Sequence, residues 1–209
     1  MSTALLAASQ TLQSVILAAL QADPALSVLF PPLGPATVSL GTPDDMVAQD
    51  QTGVSIWLYR IVRDEQTLNR PPRRFPPDLL RPPPLPLRLH YLMTPMMRGG
   101  AGQAAPETDQ HVLGALLRAF HVQPILAGAA LAGTLRGTDR QIAVRLESPS
   151  LEELARVWDT LDEPYRASLC YETSVIEVDS DLPATIGPPV LRSEPQLGLA
   201  TPQPATVLP

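Results

Sequence analysis

The sequence predicts an α+β domain in which a mixed, mostly antiparallel sheet of about four to five strands is flanked by about three helices. Three observations predict it. Apolar residues recur at helical spacing in three stretches and with a period of two in several others. These stretches run in the order helix, strands, helix, strand, helix, strand, not in the strict alternation of a doubly wound parallel fold. A content of 44% hydrophobic and 17% charged residues is that of a chain able to bury a core.

From Ala4 to Gln21, residues Leu5, Leu6, Leu12, Val15, Ile16, Ala19 and Leu20 return at intervals of three, four and seven, which predicts an amphipathic helix ended by Asp23-Pro24. Thr37 to Leu40 is a short strand closed by a turn over Gly41 to Asp45. Gly53 to Val62 is rich in β-branched and aromatic residues. In it Val54, Ile56 and Leu58 point one way and Trp57, Tyr59 and Ile61 the other, so a helix is expected on each side of the sheet.

The segment Asn69 to Pro84 is read as a long, stiff, extended loop, because each proline lacks a donor and holds φ near −65°. Leu85 to Thr94 resumes the period of two, with Leu85, Leu87, Leu89, Tyr91 and Met93 on one face and Pro86, Arg88, His90 and Leu92 on the other. After a connection at Gly99 to Ala105, a helix runs from Asp109 to His121 with Val112, Leu113, Leu116, Leu117 and Phe120 inward and Thr108 or Asp109 as N-cap. Gln141 to Glu147 is a strand with Ile142, Val144 and Leu146 inward. Ser150-Leu151-Glu152-Glu153 is a capping box opening a helix through Leu154, Val157, Trp158 and Leu161, and Ala167 to Val178 is the last strand. One domain is expected over 1–180, the Pro/Arg-rich loop 64–84 included, with an extended low-complexity tail over 181–209.

Charge divides the chain into three blocks: net −4 over residues 1–59, +5 over 60–100 and −7 over 101–209. Such blocks can be locally solvated, or can meet between neighbouring copies of a ring. The single Cys170 excludes an intrachain disulfide and reads as a small buried hydrophobe. The N-terminus has no positively charged leader, and Ser9, Gln10, Thr11, Gln13 and Ser14 interrupt its apolar run, so neither signal peptide nor membrane span is expected and the product is read as cytoplasmic.

The chemistry of catalysis is sparse. His90, His111 and His121 fall in no metal-ligand spacing, there is no Gly-x-Ser-x-Gly, and Arg98-Gly99-Gly100-Ala101-Gly102 lacks the residues of a phosphate loop. Glu152-Glu153 and Asp162-Glu163 sit at helix ends rather than facing one another. The expectation is therefore no enzyme, no cofactor and no metal. An acidic chain with 4% aromatic residues also argues against nucleic-acid binding through Arg70, Arg73, Arg74 and Arg81 with Phe75 among them.

Several segments together resemble the cap, or tail-terminator, subunits of extracellular contractile injection systems. They are Leu29-Phe30-Pro31-Pro32, the strand from Gly53 to Arg60, Asn69-Arg70-Pro71-Pro72, Pro84 to Leu92, Asp109 to Gly114, His121 to Pro124, Leu151 to Leu154 with Trp158, and Pro164-Tyr165-Arg166. The resemblance implies a phage tail-terminator-like fold, and a structural subunit that forms a hexameric ring closing the baseplate-distal end of the sheath and inner tube. Its implied partners are further copies of itself, sheath subunits and tube or tube-terminating subunits, with no nucleic acid and no membrane. It also implies assembly in the bacterial cytoplasm and release within a phage-tail-like particle. The candidate interface residues are Arg70, Arg73, Arg74 and Arg81 in the loop, for an acidic neighbour, and Val175, Ile176 and Val178 in the last strand, for pairing with a sheath arm. The alternative is a small-molecule-binding or enzymatic domain with residues 71–84 as a lid over a pocket containing His90.

Overall fold

A computed structural model describes residues 3–32, 34–67, 70–74, 79–98, 105–180 and 182–187. The first helix, α1 (Ala4–Ala22), follows the predicted periodicity: Ala8, Leu12, Ile16 and Leu20 are fully buried. By length and composition this helix could cross a membrane, but in the folded chain that apolar line is the centre of the core. After β1 (Ala36–Ser39), the expected turn is instead a short helix, α2 (Pro43–Ala48). Thr42 and Asp45 form a reciprocal capping box and Pro43 supplies the fixed φ of a first helical residue.

The long strands β2 (Thr52–Arg63) and β5 (Leu85–Met96) pair antiparallel and form the middle of the sheet with β8 (Leu169–Val178). With β6 (Ile125–Ala127) and β7 (Gln141–Glu147) the order is β1-β2-β5-β8-β7-β6. Only β1 with β2 is parallel among these pairs. The strand count exceeds the expected four to five because β6 is three residues long and carries no alternation visible in isolation.

α1 and α3 (Pro106–Val122) share the larger core with the predicted inner face of β5, namely Leu87, Leu89, Tyr91 and Met93. α3 begins at Pro106, two to three residues before the expected cap. Asp109 is instead inside the helix, accepting a hydrogen bond from the Met97 amide at 3.0 Å. On the other side, α4 (Leu151–Trp158) brings Leu154, Val157 and Trp158 onto Trp57, Tyr59, Leu92 and Cys170. The predicted capping box forms as read, Ser150 accepting from the Glu153 amide and Glu153 from the Ser150 amide. Leu146, expected inward, is 51% exposed, as β7 there extends past its cover; Ile61, beyond the bulge that shifts register between Leu58 and Arg60, is 50% exposed.

The proline-rich segment also contains paired strands, contrary to the loop expected there. β3 (Arg73–Arg74) and β4 (Leu79–Arg81) use residues between the prolines, and β9 (Thr185–Ile186) pairs with β4. Residues 71–83 and 181–209 thereby make up one compact unit, and residues 1–70 with 84–180 the other.

Two local devices hold the long strands. Gly53 sits at φ +138° opposite Thr37, and a Cβ there would lie 1.8 Å from the Thr37 carbonyl oxygen, so β1 can approach β2 only over a glycine. At the far end of β2, buried Asp64 accepts from Thr67 Oγ1 at 2.5 Å, from the Thr67 amide at 3.2 Å and from Arg88 Nε at 2.7 Å. These bonds, the Thr67 hydroxyl foremost, outweigh the burial that opposes ionisation and hold the carboxyl below its ordinary range.

Gly53→Ala is expected to destabilise the chain by at least about 2 kcal/mol, read from urea unfolding, through strain at a positive φ and the clash with Thr37. Asp64→Asn is expected to cost about 2–3 kcal/mol at neutral pH, because Arg88 loses its charged partner. Since the folded pKa of Asp64 is lowered, its contribution is complete above the ordinary value of 3.8 and disappears as the pH falls through the folded value. Unfolding titrations between neutral and acid pH should show a loss of stability below that point, reduced in Asp64→Asn.

Candidate assembly interface

Three of the four sequence-predicted arginines share one strand pair, Arg73 lying in register with Arg81 and Arg74 following it. Arg70 is half-exposed and its Nη1 lies 2.7 Å from Glu177 Oε1, an ion pair within the same unit. Arg73 and Arg74 form β3, with side chains outside the described set, and Arg81 ends β4 in an exposed position. Other members of the basic block are also held internally, Arg88 by Asp64 and Arg98 by Asp50. Arg60 and Arg63 on β2 are exposed, and neither has an ion pair among the described residues.

The last strand is paired on both edges over only part of its length. β8 lies inside the sheet, paired with β5 through Leu85↔Val178 and Leu87↔Ile176, and with β7 through Ala143↔Ser174. Ile176 is buried and Val178 packs against the core, while the Val175 side chain is outside the described set. Just before β7 begins, Arg140 Nη1 donates to the Glu177 carbonyl at 2.8 Å. From Val175 to Val178 the β7-side edge of β8 has no strand partner among the described residues.

A longer open edge lies on β2. β1 pairs only with Thr52–Ser55, so among the described residues the outer side of β2 from Ile56 to Arg63 has no strand partner. An unpaired stretch of that length is a template for another chain, tempered by the bulge at Tyr59 and by Arg60 and Arg63. A second surface is an apolar groove of about 640 Å³ between α1 and α3, floored by Val15, Ala18, Ala19, Ala115 and Ala119 and rimmed by Arg118.

The histidines are distributed unequally. His111 Nε2 faces Asp23 Oδ2 at 3.3 Å on the surface. His90 is buried on β5, its Nδ1 2.8 Å from Glu147 Oε2 on β7, beside Glu172 on β8. Donor atoms of these three residues lie within 4.8 Å of one another. Glu172 Oε2 is 3.5 Å from Arg88 Nη1, and its Oε1 is buried with no hydrogen-bond partner. His90 and Glu147 open onto a cavity of about 450 Å³ lined also by Tyr59, Arg60, Glu153 and Leu154. Burial pushes the Tyr59 phenol up to about 12 and the Cys170 thiol up to about 11, so neither is an activated nucleophile at neutral pH. This grouping was invisible in the sequence because it depends on register across three strands spaced over more than eighty residues.

The comparisons with known proteins bear on the whole chain. Residues 7–192 match the family described as the Pvc16 N-terminal domain. Among solved structures, the fold resembles the sheath/tube terminator of PVC, an extracellular contractile injection system, in its extended state, with a TM-score of 0.58 and 21% identity over 93% of this chain and 64% of that one. It also resembles the tube-terminating cap of the anti-feeding prophage, with a TM-score of 0.52 and 20% identity over 78% of this chain and 54% of that one. The chain thus spans less than two thirds of the length of either structure. No curated protein sequence matches it. The structural likeness at such identities is one of fold, whereas the sequence match extends over nearly the entire length: the chain belongs to the Pvc16 N-terminal domain family.

Proposed function

We propose that this chain is a structural terminator subunit of a contractile injection particle, copies of which close into a six-membered ring at the baseplate-distal end of the sheath and inner tube. The observation that carries the reading is the family match over residues 7–192, on a fold shared with a sheath/tube terminator and a tube-terminating cap. Its partners are other copies of itself, sheath subunits and tube or tube-terminating subunits. Its work is to bind, not to transform a substrate. Assembly takes place in the bacterial cytoplasm and the finished particle is released.

The surface chemistry supports this reading. A basic segment between two acidic ones suits head-to-tail contacts around a ring, where each copy offers one sign to the neighbour that carries the other. Arg70, Arg73, Arg74 and Arg81 in the Pro-rich segment are the proposed contacts to the acidic neighbour, and Arg60 and Arg63 along the unpaired stretch of β2 join them. Val175, Ile176 and Val178 on β8 are the proposed strand contacts to a sheath arm, since β7 pairs with β8 only as far as Ser174, and the unpaired stretch of β2 is a second proposed site of strand pairing.

Light scattering of the purified chain over a dilution series, with negative-stain images of the same fractions, is expected to give a ring of six copies, alone or on addition of sheath ends. A strict monomer in both conditions would refute the ring. Reversing Arg70, Arg73, Arg74 and Arg81 to Glu is expected to weaken assembly and change its salt dependence with unfolding free energy altered by less than about 1 kcal/mol, since surface pairs contribute little to stability. Unchanged assembly would remove that segment from the interface.

A further inference from the structure

We propose that His90, Glu147 and Glu172 form a binding site for a divalent transition-metal cation, with zinc the best match to the donor set. One imidazole nitrogen and two carboxylates come from three neighbouring strands, β5, β7 and β8, so the backbone ladder fixes their spacing. His90 pairs in register with Glu172, and Glu147 pairs with Cys170, two residues before it along β8. Successive same-face positions of adjacent strands thus point the three donors into one space beneath α4.

The hydrogen bond between His90 and Glu147 does not complete the cluster. It occupies His90 Nδ1 and Glu147 Oε2 but leaves Glu172 Oε1 buried and unpartnered, and a buried carboxylate oxygen without a donor costs free energy that a cation would recover. Arg88 does not answer that need, since its Nε is committed to Asp64 at 2.7 Å and its Nη1 reaches only the other oxygen of Glu172, at 3.5 Å.

The donors fit the metal class. Zinc takes imidazole and carboxylate ligands at about 2.0–2.2 Å, which asks donors to lie about 3.4 Å apart, and the three donors here lie within 4.8 Å of one another. A neutral imidazole suits zinc better than magnesium or calcium, which prefer all-oxygen shells. His90 and Glu147 line the adjoining cavity, so a fourth position is open to water or to a carboxylate of another chain. A bound ion would also tie three strands together on the side of the sheet covered by the short α4.

The test uses the full chain without a histidine tag, stripped with chelator and titrated with zinc chloride by calorimetry, with cobalt as a visible spectroscopic probe. The expected result is one zinc per chain, a raised Tm and a cobalt spectrum of low coordination number. Glu172→Gln, which keeps the shape and a contact to Arg88, should weaken zinc at least about tenfold, and His90→Gln more. His111→Gln and His121→Gln should leave binding unchanged. Absence of zinc binding at micromolar concentrations, equal binding by the Glu172→Gln chain, or equally effective competition by magnesium would each overturn the assignment. Should His90→Gln fail to fold, Glu172→Gln and the cobalt spectrum of the wild-type chain decide.

Discussion

Everything in the larger unit depends on burial of both faces of β5. From Leu89 to Met96 every residue of this strand is withdrawn from solvent, and it is hydrogen-bonded along both edges, to β2 and to β8. A strand in that position requires a cover on each side. α1 and α3 provide it over Leu89, Tyr91 and Met93, and the Tyr91 hydroxyl finds its partner in Ser9 of α1 at 2.9 Å. Because the phenol is so enclosed, its pKa is pushed up to about 12, and the hydrogen bond to Ser9 opposes that shift.

The second cover is a different kind of surface. α4 is only eight residues long and buries Trp158 over Leu92 and Cys170, which leaves the remainder of that face to polar residues. Those residues satisfy one another in part: Asp64 with Arg88, Arg88 with Glu172, His90 with Glu147. A sheet with one oily face and one mixed face explains why the outward positions of β5 could read as solvent-facing in sequence and still be buried. Arg88 and His90 are there because the cover is too short to be wholly apolar.

Legibility followed the range of the interaction. α1, β2, β5, β7 and α4 were readable because their signals are local: a helical repeat, an alternation, or a Ser-x-x-Glu capping box. α2 was missed although Thr42-Pro43-Asp44-Asp45 carries the same capping grammar, because Gly41 and Pro43 read equally well as a turn. β3 and β4 were missed because the prolines around them dominate the composition, while pairing needs only the two or three residues between. The interior position of β8 and the meeting of His90, Glu147 and Glu172 were beyond reach for a stronger reason. Both are properties of strand order, and no local pattern encodes which strand becomes a neighbour.

The same distinction separates folding from assembly in this chain. Of the arginines in the basic block, Arg88 is held by buried Asp64, whereas Arg98 with Asp50 and Arg70 with Glu177 make exposed pairs. Arg60, Arg63 and Arg81 are exposed and without an ion pair among the described residues, and two of the three lie along the stretch of β2 that β1 leaves uncovered. Exposed charge on an uncovered strand edge prevents indiscriminate pairing yet admits a strand of opposite charge. That combination follows from β1 being four residues long where β2 has twelve.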